Sequence, residues 1–358
     1  MRHTSIQLPN LEEYQQEFLA SGMQFPLATV PYSKTGLLAE LPPPPPGKTG
    51  WPWTEETDPT ISDRHTDLPK ITIVTPSYNQ GQFIEETIRS VLLQNYPNLE
   101  YIILDAASSD DSVAIIKKYA PWISYWKSEP DRGQSHAINQ GLSIASGKFW
   151  QWINSDDRYF PNVLYEISQT LTKAGKDTLY GGVYESTDDG KVKYSKISFN
   201  VSKALMIDPT KNFNKDYYYK PEATILSVEL SKAVGGMRED FHNLFDGDFM
   251  LRYTEMCNPI YTDIRLMHYR IHPQTKTIAN NQRLHKEYIK MMKENHQIGL
   301  TWFKCLVKEA GFLSTANQDG KNRWELFRLA LKLIIESPHV VISRAYWGLW
   351  RKIVKVSY

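Results

Sequence analysis

Short apolar runs of strand length alternate with segments of helical periodicity between residues 69 and 154. The β-branched run KITIVTP is followed by GQFIEETIRSVLLQ, whose apolar side chains recur at the spacing of one helix face: Phe83, Ile84, Ile88, Val91 and Leu92. The alternation continues with strands in LEYIILD, WISYWKSEP and KFWQWIN and with helices in DDSVAIIKKYA and GQSHAINQGLSIASG. This order predicts right-handed crossovers and a three-layer α/β sandwich with a mainly parallel central sheet.

The chain before this pattern has a different composition. It contains a candidate short helix, LEEYQQEFLASGM, and the stretch LPPPPPGKTGWPW, in which consecutive prolines favour extended polyproline geometry. This stretch is either a stiff spacer, attached to the main body through Trp51 and Trp53, or a proline-rich ligand for another protein. We expect an N-terminal extension at 1–68, an α/β domain at 69–275 and a helical region at 276–358.

The helical region combines apolar, aromatic and basic residues. Trp324, Phe327 and Leu331 recur at helical spacing, which favours packing onto the α/β domain. The alternative is a helix that lies on an anionic membrane surface, with basic residues beside two tryptophans: Arg344, Arg351, Lys352 and Lys355, near Trp347 and Trp350.

Charge and cysteine content exclude several classes of protein. Lys and Arg number 41 against 40 Asp and Glu, a net charge of +1, so no global charge points to nucleic acid. Cys257 and Cys305 form neither a disulfide framework nor a zinc set, which fits a reducing compartment. No signal-peptide core and no run of eighteen apolar residues occurs. We expect a cytoplasmic protein, with the inner face of the membrane as the place of any peripheral contact.

Polar residues follow three of the predicted strands. They are Thr75, Pro76 and Ser77 after the first, Asp105 at the end of the second, and Asn154, Asp156 and Asp157 after the fourth. Ligands of open α/β sheets bind outside the carboxyl ends of the strands, so these groups are expected at one edge. Each has a local alternative: Asp105 could organise a turn, and Asp156 or Asp157 could cap the helix near Pro161. Together they predict a nucleotide and metal site.

The segment PKITIVTPSYNQGQFIEETIRSVLLQNYPNLEYIILDAASSDDS, followed by SEPDRGQSHAINQGLSIASG and WINSDD, resembles the family 2 glycosyltransferases of the GT-A fold. The resemblance covers about residues 69–272. It implies that Thr75, Pro76, Ser77 and Asp105 hold the nucleotide of a nucleotide-diphosphate sugar donor. It also assigns the acids of WINSDD to a divalent metal, manganese or magnesium, and to the ribose and diphosphate of the donor.

Within WINSDD we expect Asp157 to be the direct metal ligand, with Asn154 and Asp156 nearer the ribose and sugar. The expectation fits the chemistry, because a divalent cation held by one or two carboxylates neutralises a departing diphosphate without proton transfer. His272 matches a late histidine that completes the metal or diphosphate site in relatives, and a surface histidine is the alternative. Arg132 either contacts the diphosphate or pairs with Asp131.

A further segment, GGMREDFHNLFDGDFMLRYTE, resembles the part of the family in which an acid before a helix deprotonates the acceptor hydroxyl. That acid is Asp246 here, with a helix cap as the alternative. Asp248, two residues on, is expected to face the helix start. Its replacement by Asn is therefore expected to cost little stability. The resemblance implies an inverting, metal-dependent transferase that acts on a glycan or lipid-linked acceptor, as in polysaccharide synthesis.

The sequence departs from the family pattern at several positions. Phe245 stands where a Glu often precedes the base, which supports the alternative of a catalytically inactive nucleotide-sugar binding module. His136 replaces a common Asp, and Ala106 and Ala107 replace an acid and a glycine, so the donor cannot be assigned by analogy. A dinucleotide-dependent oxidoreductase is disfavoured because TPSYNQG, rather than GxGxxG, follows the first strand.

Overall fold

The computed structural model describes residues 6–64, 67–176, 178–180, 183–188, 191–195, 224–257 and 259–272, and the single residues 283, 287, 290, 291, 294 and 331. The helices described are α1 (Leu11–Ala20), α2 (Ile84–Leu92), α3 (Ser112–Tyr119), α4 (Gln134–Ile144), α5 (Val163–Ala174), α6 (Val228–Ala233) and α7 (Phe245–Tyr253). The strands described are β1 (Ile71–Ser77), β2 (Leu99–Asp105), β3 (Tyr125–Ser128), β4 (Phe149–Trp152), β5 (Arg158–Tyr159), β6 (Leu179–Tyr180), β7 (Val183–Asp188), β8 (Lys191–Ser195), β9 (Thr224–Ser227), β10 (Ile260–Tyr261) and β11 (Arg265–Arg270).

Two sheets organise these strands. The larger has the order β10-β6-β9-β4-β1-β2-β3 and the smaller the order β5-β11-β7-β8. In the larger sheet β1 is parallel to β2 and β4, β2 is parallel to β3, and only β9 runs antiparallel to its neighbours among the described strands. The predicted succession of strands and helices between 69 and 154 is confirmed, with a mainly parallel central sheet.

Each face of the larger sheet carries its own apolar core. Ile71 and Ile73 of β1 pack on the side of α2, α3 and α5, whereas Val74 packs on the side of α1, α4 and α7. The helix α4 approaches β1 closely at Gly141, where an added Cβ would collide with the Val74 side chain. The period-2 alternation of β1 therefore produces the middle layer of a three-layer sandwich.

The N-terminal extension is built into this fold. Leu37 and Leu41 belong to the core on the α2 side, and the N–H of Val30 donates to the carbonyl of Leu99 on β2 at 2.8 Å. Trp51 Nε1 donates to the carbonyl of Tyr159 at 2.7 Å, and Trp53 is buried. The two tryptophans attach the extension as expected.

A fully buried arginine of α2 fixes the proline-rich stretch. Arg89 donates from Nη1 to the carbonyl of Pro42 at 2.8 Å, and from Nε and Nη2 to the carbonyls of Pro52 and Trp53 at 2.9 Å each. Proline-rich chain forms no ladder of its own, so its carbonyls need donors from elsewhere. The guanidinium supplies several from one side chain.

Arg89→Met is therefore expected to lower the free energy of unfolding by about 3 kcal/mol or more. Several buried carbonyls lose their donor, and each unsatisfied group costs about 1–3 kcal/mol. Chemical denaturation measures the change. Lys34→Met, at an exposed position of the extension, is the control and should stay within about 0.5 kcal/mol of the parent. Equal stability of the two variants would contradict this role for Arg89.

The two alternatives for the C-terminal region concern residues that mostly lie outside the described part of the chain. The residues outside it include Trp324, Phe327, Trp347 and Trp350 and the four basic residues Arg344, Arg351, Lys352 and Lys355. Among the described residues, no helix is both long and apolar enough to cross a membrane.

Candidate active site

The carboxyl ends of β1, β2 and β4 meet at one edge of the larger sheet because these strands are parallel neighbours. The loop after β4 is joined there to the first turn of α4. Gln134 Nε2 donates to Asn154 Oδ1 at 2.8 Å, and Asn154 Nδ2 donates to Asp157 Oδ2 at 3.2 Å. The structure therefore brings together the predicted clusters after the first, second and fourth strands.

The first cluster differs from its prediction, since β1 continues through Ser77 and includes Thr75 and Pro76. Thr75 is buried, and its hydroxyl lies 3.1 Å from the hydroxyl of Tyr101 on β2. The Ser77 hydroxyl is also buried, but has no hydrogen-bond partner within the described part of the chain. Buried hydroxyls are normally paired, so Ser77 is the member of this cluster whose hydroxyl could donate a hydrogen bond to a ligand or accept one from it.

Asp105 organises the turn after β2, which was the alternative to nucleotide binding considered for this residue. Its carboxylate accepts from the N–H of Ser108 at 2.9 Å, from the Ser108 hydroxyl at 2.5 Å and from the Ser128 hydroxyl at 2.7 Å. These bonds fix the orientation of a carboxylate at the sheet edge. A fixed orientation is also what recognition of a nucleotide requires.

Asp157 is almost completely buried and holds two strands together. Its Oδ1 accepts from the N–H of Arg270 at the end of β11 at 2.9 Å, and its Oδ2 accepts from Asn154. The next residue begins β5, which pairs with β11. Capping, the alternative considered for the two acids, is wrong: α5 begins at Val163, and its N-cap residue is Asn162.

Asp156 lies beside His272. Its Oδ2 is 3.0 Å from His272 Nε2, and the two side chains are 18% and 10% exposed. Phe83 covers the imidazole, with ring centroids 4.8 Å apart, and the guanidinium of Arg270 lies over the same phenyl ring. His272 is thus largely buried, and the alternative of a surface histidine is wrong.

The Asp156–His272 pair fits a divalent cation. A carboxylate oxygen and an imidazole nitrogen are suitable ligands for manganese, and they already lie within 3.0 Å of each other. Among the described residues, no group of three or more His, Cys, Asp or Glu side chains forms a metal cluster. A cation here would complete its coordination with diphosphate oxygens or water, as magnesium commonly does.

Asp246 lies in the first turn of α7, where the helix dipole favours a negative charge. It is half-buried, and its Oδ1 accepts from the N–H of Gly247 at 2.7 Å. Leu244 occupies the N-cap position, so Asp246 is not the cap of this helix.

Asp248 lies in the first turn of α7, as expected, but it is not a simple helix-start acid. It is buried and paired with Arg252 at 3.0 Å, and Arg238 Nη1 lies 3.6 Å away. Burial raises the pKa of Asp248, although both arginines oppose that shift. We therefore now expect Asp248→Asn to destabilise the protein, because an arginine would lose its buried counter-charge.

Within the described part of the chain, the guanidinium of Arg132 pairs with Glu239 and not with Asp131. Its guanidinium donates to Glu239 Oε2 at 2.9 and 3.1 Å and to the Tyr14 hydroxyl at 2.5 Å. Asp131 instead accepts from the N–H of Gly133 at 2.7 Å. The prediction that Arg132 pairs with Asp131 is wrong. Contact of Arg132 with a diphosphate stays a prediction.

Comparison with known proteins decides the family. The model of "Glycosyl transferase family 2" matches residues 72–245. An uncharacterized glycosyltransferase of Mycobacterium tuberculosis, Rv1514c, is 30% identical over 199 residues, which are 54% of this chain and 72% of the relative. The chain belongs to glycosyltransferase family 2. A Rickettsia typhi glycosyltransferase, RT0329, is 26% identical over 230 residues, 61% of this chain and 70% of the relative.

Solved structures give the fold of this glycosyltransferase. Residues 1–349 of Staphylococcus aureus TarS in complex with UDP superpose with a TM-score of 0.55 at 17% identity, covering 80% of this chain and 87% of that one. The same TarS segment in complex with UDP-GlcNAc gives a TM-score of 0.50 at 15% identity, covering 81% and 82%. The fold is GT-A, as the sequence predicted.

Two parts of the glycosyltransferase outside the family match contact the site region, and neither was predicted. From the N-terminal side, Tyr14 on α1 donates to Glu239 Oε1 at 2.6 Å and packs edge-on against His136 on α4. Asn139 of α4 also donates to Glu239 and exchanges hydrogen bonds with the backbone of Met237. Burial lowers the pKa of His136, which favours the neutral ring.

The second part is the C-terminal side, where Glu287 accepts hydrogen bonds from the backbone just before α7. A lone Glu in a helical pattern resembles any solvated charge, and Tyr14 resembles an ordinary core residue of an amphipathic helix. Neither position carries a sequence signal, because each acquires its role from a partner about 45 to 225 residues away.

Proposed function

We propose that this family 2 enzyme is an inverting, metal-dependent glycosyltransferase that moves a sugar from a nucleotide-diphosphate donor to an acceptor hydroxyl. The observation that carries the proposal is the Asp156–His272 pair: Asp156 lies on the loop after β4, at the carboxyl edge of the sheet, and His272 follows β11. The complexes of TarS with UDP and UDP-GlcNAc support a nucleotide sugar as the donor class.

We assign the divalent cation to Asp156 and His272, in place of the Asp157 that the sequence favoured. Both oxygens of Asp157 accept protein hydrogen bonds that hold the loop and β11 together, whereas Oδ2 of Asp156 lies beside the His272 imidazole. When bound, manganese or magnesium neutralises the charge of the leaving diphosphate. Ser77 and Asp105 would orient the nucleotide, and Asn154, which lies between Gln134 and Asp157, would contact the ribose.

Asp246 acts as the general base. Its carboxylate takes the proton of the acceptor hydroxyl while that oxygen attacks the anomeric carbon and the bond from this carbon to the diphosphate breaks. A single displacement of this kind inverts the anomeric configuration. The proposed acceptor is a glycan or a lipid-linked glycan, and the proposed compartment is the cytoplasm. With a lipid-linked acceptor, we expect the C-terminal region to contact the inner face of the membrane.

A thermal-shift panel of UDP-, GDP- and dTDP-sugars, with and without manganese, tests the proposal. We expect one nucleotide class to raise the melting temperature by several degrees, and only with the metal. A ligand at about one hundred times its dissociation constant stabilises the folded state by about 2.7 kcal/mol. Absence of a shift with every donor would overturn the proposed function.

A further inference from the structure

Three consecutive backbone amides just before α7 converge on one carboxylate. The N–H of His242 donates to Glu287 Oε1 at 2.9 Å, and the N–H groups of Asn243 and Leu244 donate to Oε2 at 2.7 and 3.0 Å. Glu287 is 7% exposed. Burial alone would raise its pKa, but the three N–H groups and Arg283 outweigh burial and lower it, so the carboxylate stays ionised.

The residues around Glu287 dock on the same loop. Lys290 pairs with Asp240, and Glu294 pairs with Arg238, both at 2.5 Å. Met291 is buried in the core cluster that also contains Phe245 and Phe249 of α7. Of this set, only Glu287 bonds the backbone that leads directly into the first turn of the helix.

We propose that Glu287 is a positioning residue for Asp246, an inference that rests on the proposed function of Asp246 as the base. Leu244 is the N-cap of α7 and Asp246 follows it by two residues, so a carboxylate that fixes the amides of 242–244 also fixes the start of the turn carrying the base. Hydrogen bonds to an ionised acceptor are about twice as strong as neutral ones. A displacement of about 1 Å at a reacting group can cost about 100-fold in rate.

Hydrogen–deuterium exchange on the full chain tests the structural half of the inference. In Glu287→Ala we expect the amides of 242–244 to exchange at least about tenfold faster, equivalent to about 1.4 kcal/mol. Sodium formate, compared with sodium chloride at equal ionic strength, should restore slow exchange saturably, because formate can occupy the place of the lost carboxylate. Unchanged exchange, or equal effects of the two salts, would overturn the inference.

Two further variants separate positioning from docking. Glu294→Gln removes a charge from the same segment and should leave the exchange of 242–244 within about twofold of the parent. Glu287→Gln retains one acceptor oxygen and carries the same comparison if Glu287→Ala does not fold. Loss of protection in Glu294→Gln as large as in Glu287→Ala would mean that the segment acts only by docking.

Steady-state kinetics test the catalytic half of the inference, with the donor that gives the largest thermal shift as substrate. We expect Glu287→Ala to lower kcat by about 10- to 100-fold with the KM for the donor nearly unchanged, and formate to restore part of kcat. A parental kcat, or a loss confined to KM, would overturn the positioning role. If the parent enzyme turns over no donor, the proposed function fails while the exchange measurement still decides whether Glu287 holds the loop.

Discussion

Asp246→Asn is expected to lower the rate of sugar transfer by roughly 10²- to 10⁴-fold, the usual contribution of a positioned acid or base. The amide keeps the size of the side chain and an oxygen that can accept from the N–H of Gly247, but it cannot take the acceptor's proton. Donor and metal affinity should change little, because the base is required only when the hydroxyl attacks. Initial rates and thermal shifts on the same preparation measure both quantities.

The control for Asp246→Asn must be an exposed aspartate. Asp248 is unsuitable because it is buried between Arg252 and Arg238, and its amide would destabilise α7. Asp263→Asn removes the same charge at an exposed position and should transfer sugar at the parental rate. Transfer by Asp246→Asn at the parental rate would place the base elsewhere. Donor binding without transfer in the parent itself would favour the inactive binding module.

Asp156→Asn is expected to remove the metal-dependent part of the donor's thermal shift and to lower transfer by about 100-fold or more. The carboxylate beside His272 carries the negative charge that a divalent cation requires, and such a cation contributes several kcal/mol of charge stabilisation. Titration of manganese in the presence of the nucleotide measures the loss. His272→Gln should weaken the metal response in the same direction.

Asp157→Asn is the matched comparison, one residue along the chain. It should lower the free energy of unfolding by about 1–3 kcal/mol, because an amide at this position faces Asn154 Nδ2 with a donor where an acceptor is needed. The manganese dependence should survive in the folded fraction. Loss of metal response in Asp157→Asn and its retention in Asp156→Asn would restore the original assignment of the ligand.

The sequence by itself determined the α/β succession, the parallel sheet and the edge at which the polar clusters meet. These depend on local periodicity and on the rule that parallel strands present their carboxyl ends together, and both can be read from a single chain. The strand-end rule also pointed to Asp105 and Asp156, and the family resemblance added Asp246 and His272 as candidates. The sequence did not predict that β1 extends through Ser77, because this extension depends on pairing with β2.

Only the tertiary structure decided what each candidate touches. It placed Asp156 rather than Asp157 against His272, paired Arg132 with Glu239, and buried Asp248 between two arginines. It also brought Glu287 to the backbone before α7, across 43 to 45 positions of sequence. Asp156 and Asp157 cannot be distinguished in the sequence. Their surroundings differ because Asp157 accepts a hydrogen bond from the backbone of Arg270, whereas Asp156 lies beside the imidazole of His272.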